Sequence, residues 1–308
     1  MKHTLIRLLC AQLACSMLLM MSACSAGKND NLTGAPSGTA STEPVGGIAS
    51  TEPSAAPEET EDPLAKVELP EPDEILMTGR FGENITYTFD SNGILTVSGT
   101  GPMDKIEGEE YPNLGTDVLY VVIEEGVTKT YNISMCYKVK YVSLPSTMEK
   151  IGLSDLDEMT TVILADGITK IKDEAFLWCD ALTSLELPDS ITEIGKYAFA
   201  SCDNLSEINM PANLKSLGAG AFSYTAITEF TAPRGLTSLP QEVFAGCESL
   251  KSVTLHSGIT SIGDHVFYKC SSLTDVYYEG SEAEFNLIRI GEDNDPLLNA
   301  NIHFNSKM

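Results

Sequence analysis

The chain is poor in positive charge. Nineteen Lys and Arg stand against 44 Asp and Glu among 308 residues, for a net charge of −25. Such a surface repels phosphate backbones and anionic lipid headgroups. It argues against nucleic acid as a partner and favours cationic ligands. Paired cysteines are missing as well: none of the eight stands in a C-x-x-C pair, so the spacing of a structural zinc site is absent. A long apolar run is also lacking. Leu8 to Met21 is interrupted by Gln12 and preceded by Arg7, and falls short of the about 20 residues a spanning helix needs. Gly218-Ala219-Gly220 has neither the following lysine nor the helix-opening context of a phosphate loop. No cofactor is implied.

What the N-terminus does contain is the layout of a secretory signal over residues 1–23: Lys2 and Arg7, the short apolar run, then Ser22-Ala23. Met21-Ser22-Ala23-Cys24 resembles the bacterial lipoprotein cleavage box, which makes Cys24 the expected lipidated first residue of the mature chain. An ordinary cleaved signal is the alternative. Residues 24–74 read as a disordered Ser/Thr/Pro/Glu tether. The segment holds seven of the fifteen prolines, repeats Ser-Thr-Glu-Pro at 41–44 and 50–53, and is too poor in apolar residues to offset its ordering entropy. A flexible chain of that length spans roughly 40 Å.

Residues 75–117 change character. Ile85-Thr86-Tyr87-Thr88-Phe89 and Ile94-Leu95-Thr96-Val97-Ser98 flank Asp90-Ser91-Asn92-Gly93, a hairpin pattern expected to cap the adjoining repeats. Residues 118–280 then repeat. Phe176, Phe199, Phe222, Phe244 and Phe267 fall at steps of 23, 23, 22 and 23, and Cys179, Cys202, Cys247 and Cys270 each follow a phenylalanine by three. A fixed period in the twenties signals a solenoid, whose coils stack identical positions into ladders. Two degenerate copies, marked by Val139, Val142 and Leu144 and by Met159, Val162 and Leu164, raise the expected number to about seven coils. Residues 281–308 depart from the period and read as a C-terminal cap.

Within one coil, Leu205-x-x-Ile208-x-Met210-Pro211 has the pattern of a strand closed by proline, and Ile191 and Ile194 mark a second, shorter extended segment. Ala198, Phe199 and Cys202 are expected to form a helical turn between them. The equivalent cysteines read as an interior column of thiols, Cys136 included. Disulfides or a metal site are the alternatives. His265 lies five residues before Cys270, but on a repeat backbone this is weak support for a nucleophile and its base.

The repeats resemble those of BspA-like leucine-rich repeat proteins of bacterial surfaces, whose coils run near Leu-x-x-Ile-x-Leu-Pro-x-x-Val-x-x-Ile-Gly-x-x-Ala-Phe-x-x-Cys. Asp189 to Pro211 reproduces nearly all of it. Gly82, Asn84, Gly93, Leu95, Ser98, Gly99 and Gly101 resemble that family's glycine-rich hairpin, and Tyr277 to Phe304 its ending. The resemblance implies a β-rich, right-handed solenoid exposed on the extracellular face of the bacterial membrane. It implies binding and adhesion and supplies no catalytic residues.

Residues between the inward apolar positions of each strand are expected to face outward. One column reads Tyr141, Thr161, Ser184, Glu207, Glu229, Ser252, Asp275; its neighbour reads Ser143, Ile163, Glu186, Asn209, Thr231, Thr254, Tyr277. This hydroxyl-rich, acidic face is the expected recognition surface for a protein or glycan partner. A scaffold subunit of the envelope is the second reading. An enzyme acting on surface polymers is the third and weakest, because no stretch is left for a catalytic domain and nothing desolvates the carboxylates. The anchor carries its own test. Cys24→Ala is expected to move the protein from the membrane fraction to the soluble fraction, and unchanged partitioning would refute lipidation there.

Overall fold

The computed structural model describes residues 69–104, 117–130, 133 and 136–307. The signal at 1–23, Cys24 and most of the tether lie outside the described residues. Among those described, no helix is long and apolar enough to cross a membrane.

Three antiparallel strands come first: β1 (Ile75–Arg80), β2 (Ile85–Asp90) and β3 (Ile94–Gly99). The β2–β3 turn is set by Asp90, whose Oδ1 accepts from the backbone N–H groups of Asn92 (3.0 Å) and Ile94 (2.8 Å). Gly93 supplies the positive φ of 80°. Sequence patterning does not reveal β1, because Ile75, Leu76 and Met77 are all exposed and show no inward alternation.

The coil then begins with β4 (Gly101–Pro102), β5 (Tyr120–Ile123), β6 (Val127–Lys129), β7 (Tyr141–Leu144) and β8 (Thr161–Leu164). It continues with β9 (Lys170–Ile171), β10 (Ser184–Leu185), β11 (Glu193–Ile194), β12 (Glu207–Ile208), β13 (Ser216–Leu217) and β14 (Glu229–Thr231). β15 (Ser238–Leu239), β16 (Ser252–Leu255), β17 (Ser261–Ile262) and β18 (Asp275–Tyr278) come next. The last turn contains α1 (Glu282–Phe285), β19 (Arg289–Ile290), α2 (Asp295–Asn299) and β20 (Asn301–His303).

One ladder runs from β3 through β5, β7 and β8, then β10 and β12, then β14, β16, β18 and β20, in three hydrogen-bonded segments. The second is formed by the short strands β9, β11 and β13, then β15, β17 and β19. All pairings within the coil are parallel, and residues one repeat apart face each other, as Ser252 and Asp275 do. The result is a β-solenoid of about eight turns, one more than the sequence indicates. The difference lies in the tail. β19 pairs with β17 and β20 with β18, so residues 281–303 form one further, longer turn.

The phenylalanine segment is not the helical turn expected from sequence. Tyr197, Phe199 and Ser201 send their N–H groups to Ala219, Ala221 and Ser223 of the next coil at 2.9–3.0 Å. A helix would direct them back along its own chain. Left-handed residues flank each phenylalanine at two places before and two after: Tyr197 (φ 52°) and Ser201 (φ 53°) in this coil, Glu242 (φ 61°) and Gly246 (φ 76°) two coils on.

Between these walls the five phenylalanine rings stack with centroids 5.2, 5.4, 6.0 and 5.9 Å apart, all completely buried. Each contributes roughly 1.5–3 kcal/mol of burial. The cysteines line the same interior as free thiols. Cys179, Cys202, Cys247 and Cys270 donate S–H to the carbonyls of Leu153, Phe176, Phe222 and Phe244 at 3.0–3.2 Å. Burial pushes the Cys136 and Cys247 thiols up to about 11 and raises Cys270 as well, so they are neutral packing groups. Where the short copy has Thr225 in place of cysteine, the hydroxyl donates to Phe222 O at 2.9 Å. The ladder ends at Asn294, buried, whose Oδ1 accepts from Phe267 N where the next coil's carbonyl would stand.

Coil contact also dictates glycines. A Cβ on Gly220 would run into the ring of Tyr197 from the preceding coil. The obstacle is that ring more than the backbone, because Glu174, Tyr197, Glu242 and His265 hold the same left-handed place in other coils. Gly220→Ala is therefore expected to destabilise the protein by about 1–3 kcal/mol. In a Tyr197→Ala background the cost should fall toward about 1 kcal/mol, that of a side chain at positive φ, read as non-additivity in denaturant melts.

Candidate functional site

The strand ladder presents one face to the interior and one outward, because successive side chains alternate. Leu185, Val253 and Val276 point in and are buried; Ser184, Glu186, Glu207, Glu229, Thr231 and Tyr277 are exposed. Ser252, Thr254 and Asp275 are half-buried. The two outward columns therefore share one surface, with Glu229 beside Ser252, Ser252 beside Asp275, and Thr254 beside Tyr277 in register.

Two expected members differ. Tyr141 is only 5% exposed: the ring of Tyr120 in the preceding turn packs against it at 6.4 Å, and burial raises its phenol above the usual range. The tyrosine expected at that end is thus not available at the surface. Asn209 is exposed, but its amide is engaged. Its Oδ1 accepts from Leu187 N (2.6 Å) and its Nδ2 donates to Leu187 O (2.8 Å). The side chain there replaces a strand backbone, and β10–β12 pairing stops after Leu185 and Ile208.

At the opposite end sits a group that the sequence alone did not assemble. His303 of β20 stacks on Tyr277 with centroids 4.7 Å apart and planes 14° apart, and its Nε2 lies 2.8 Å from Asp275 Oδ1. Thr274 Oγ1 donates to the other carboxylate oxygen at 2.8 Å. These two bonds, the histidine's first, hold the Asp275 carboxyl below its ordinary value. Tyr277 is 38% exposed and supplies an aromatic edge to this corner. The period gives no hint of His303, because the last turn is lengthened by two helices.

Charge along the face is uneven. Among the described residues no basic side chain pairs with Glu186, Glu207 or Glu229. Glu279, just past β18, is by contrast fully engaged. Arg234 Nη1 and Nη2 donate to it at 2.6 and 2.8 Å, and Ser257 N and Oγ each at 3.1 Å. A bidentate guanidinium is a strong carboxylate partner, and this one bridges coils that are not adjacent. Among the described residues no group of three or more His, Cys, Asp or Glu side chains is placed to hold a metal ion.

The Arg234 guanidinium, then the Ser257 N–H, bring the Glu279 carboxyl down to about 2 from an ordinary 4.5. A depressed carboxyl stabilises the fold above the unfolded value and loses that contribution as pH falls from about 4.5 to about 2. The melting temperatures of wild type and Arg234→Ala should therefore differ at pH 6 to 7 and converge toward about pH 2. A constant gap across that range would refute the clamp.

Residues 127–247 and 169–287, together more than half of the chain, match the family model described as BspA type leucine rich repeat region, in six copies. Among solved structures, a T. pallidum leucine rich repeat protein is 22% identical, with 61% of this chain and 86% of that one covered and a TM-score of 0.46. A leucine-rich repeat protein from Bacteroides ovatus is 21% identical over 73% of this chain and 70% of its own, TM-score 0.42. A Faecalibacterium prausnitzii protein, described as a leucine rich cell surface protein, is 16% identical over 69% and 97%, TM-score 0.25. No curated protein sequence matches the chain. With its coil, its phenylalanine and cysteine ladders and six matched repeats, this chain belongs to the BspA-type leucine-rich repeat family.

Proposed function

We propose that this is a lipid-anchored surface protein whose strand face binds a protein or glycan partner, with no catalytic step. One observation carries the reading: Glu186, Glu207 and Glu229 stand exposed on a single face with no basic partner among the described residues, in a protein that neutralises other carboxylates internally. Carboxylates left open on a broad, coil-built platform favour a partner that brings positive charge, through steering and complementary pairing. The Tyr277–His303 corner, fixed by Asp275, adds the aromatic anchor that interfaces commonly use. Cys24 and the tether support display on the extracellular face of the membrane, at a distance from the lipid.

Crosslinking on intact cells, with mass spectrometry of the captured neighbours, would identify the partner. Host or matrix proteins would indicate adhesion, and envelope proteins a scaffold role. The combined variant Glu186→Lys, Glu207→Lys, Glu229→Lys is expected to weaken binding to that partner at least about tenfold at low salt while the melting temperature holds. Unchanged affinity would exclude the strand face as the binding surface.

A further inference from the structure

The single tryptophan of the chain, Trp178, is not on the strand face. It belongs to the loop wall, in the left-handed column two places after Leu153 and each of the five phenylalanines: Asp155, Trp178, Ser201, Tyr224, Gly246 and Lys269, at φ 62°, 62°, 53°, 56°, 76° and 59°. The register is fixed, since Trp178 N donates to Ala200 O, Ser201 N to Ser223 O, Tyr224 N to Ala245 O and Gly246 N to Tyr268 O. Buried residues on either side fill the interior, a phenylalanine or Leu153 before and a cysteine, Leu156 or Thr225 after, so the residue between them is turned outward.

Bulky side chains at positive φ are uncommon and cost about 1–2 kcal/mol each. Coil geometry imposes this conformation in each repeat. Here it holds two aromatic side chains at the surface, Trp178 half-buried and Tyr224 46% exposed. The Tyr224 ring leans on Gly246 of the next coil, where an added Cβ would come within 2.5 Å of it, so one side is braced and the other is open. Trp178 stands two coils earlier, about 10 Å away along the axis by strand spacing, and only the small Ser201 lies between. Two partly exposed aromatic residues thus stand two coils apart in one column, with the hydroxyl residue Ser201 between them.

That arrangement suits sugar rings, whose C–H faces stack on aromatics while their hydroxyls bond to groups such as Ser201 and Asp155. The separation matches two pyranose units of an extended chain. Net charge of −25, with Asp155 heading the column, disfavours uronic and sulfated chains. We propose that Trp178, Ser201 and Tyr224 form a binding site for an extended neutral or amino-sugar glycan. The site is built on the loop wall and does not depend on the strand-face reading.

Because Trp178 is unique, its fluorescence in the full-length protein reports on this site directly. Titration with cellohexaose, chitohexaose and mannohexaose is expected to give a saturable blue shift with at least one of them, and none with an oligogalacturonate of equal length. Tyr224→Ala should weaken that binding about tenfold, as expected for losing one stacked ring, and Tyr224→Phe should restore it. Ser201→Phe, which puts a bulky ring between Trp178 and Tyr224 without replacing Tyr224 or Gly246, should abolish it and guards against a folding defect in Tyr224→Ala. The strand-face triple Lys variant should bind these sugars as wild type does. The proposal is overturned by no shift with any of the three neutral chains, by an equal shift with the oligogalacturonate, or by Ser201→Phe and Tyr224→Ala both binding within twofold of wild type.

Discussion

Parallel strands set a coil-to-coil distance of about 4.8 Å, and every other column of the molecule has to be compatible with it. Phenylalanine rings meet it by stacking almost flat, 4° and 5° from parallel in the first two pairs. The thiols of Cys179, Cys202, Cys247 and Cys270 meet it by bonding to a carbonyl of the preceding coil. Where two backbones come closer still, a side chain cannot fit. A Cβ on Gly195 would lie 2.5 Å from Asp173 N, and Gly263 would face Gln241 N in the same way. The left-handed residues around each phenylalanine have the same origin, since they turn the N–H groups toward the adjacent coil.

Once the interior is fixed in this way, the outward positions are free to differ between coils, and the two walls differ in kind. The strand wall is rich in hydroxyls and unpaired carboxylates. The loop wall carries the tryptophan and most of the partly exposed tyrosines. The acidic surplus is also not uniformly used. Lys170–Glu193 and Arg234–Glu279 bind separate turns to one another at the margins, where exposed pairs contribute little stability individually, while the open glutamates remain on the strand face.

Much of this architecture is legible in the chain because it is periodic. The 23-residue step, the Ile-x-Leu alternation and the Asp90–Gly93 turn each have a local cause, and each reappears in the structure. What escapes is whatever depends on the neighbouring coil. Tyr141 occupies the same position as Ser184, yet one is buried and the other exposed, because Tyr120 happens to precede the first. Asn209 reads as a surface residue, and its amide closes a gap in the sheet. The left-handed columns give no glycine signal, since only Gly220 and Gly246 carry one there. His303 lies beyond the period and reaches Asp275 through a turn whose length the repeat does not set.

Asn294 has a bearing on how long such a protein can be. Its side-chain oxygen takes the N–H that a further coil would have taken, and its amide hydrogens satisfy Gly263 O, Gly291 O and Glu292 O. One residue thereby supplies, at the C-terminal end of the phenylalanine ladder, the carbonyl that a further coil would bring. Duplication of whole repeats upstream of this residue would lengthen the body by about 4.8 Å per copy and leave the terminus untouched. A repeat added directly after it would meet the Phe267 N–H already taken. Insertion upstream of Asn294 thus lengthens the stack without disturbing this substitute carbonyl, and the length of the body counts its repeats.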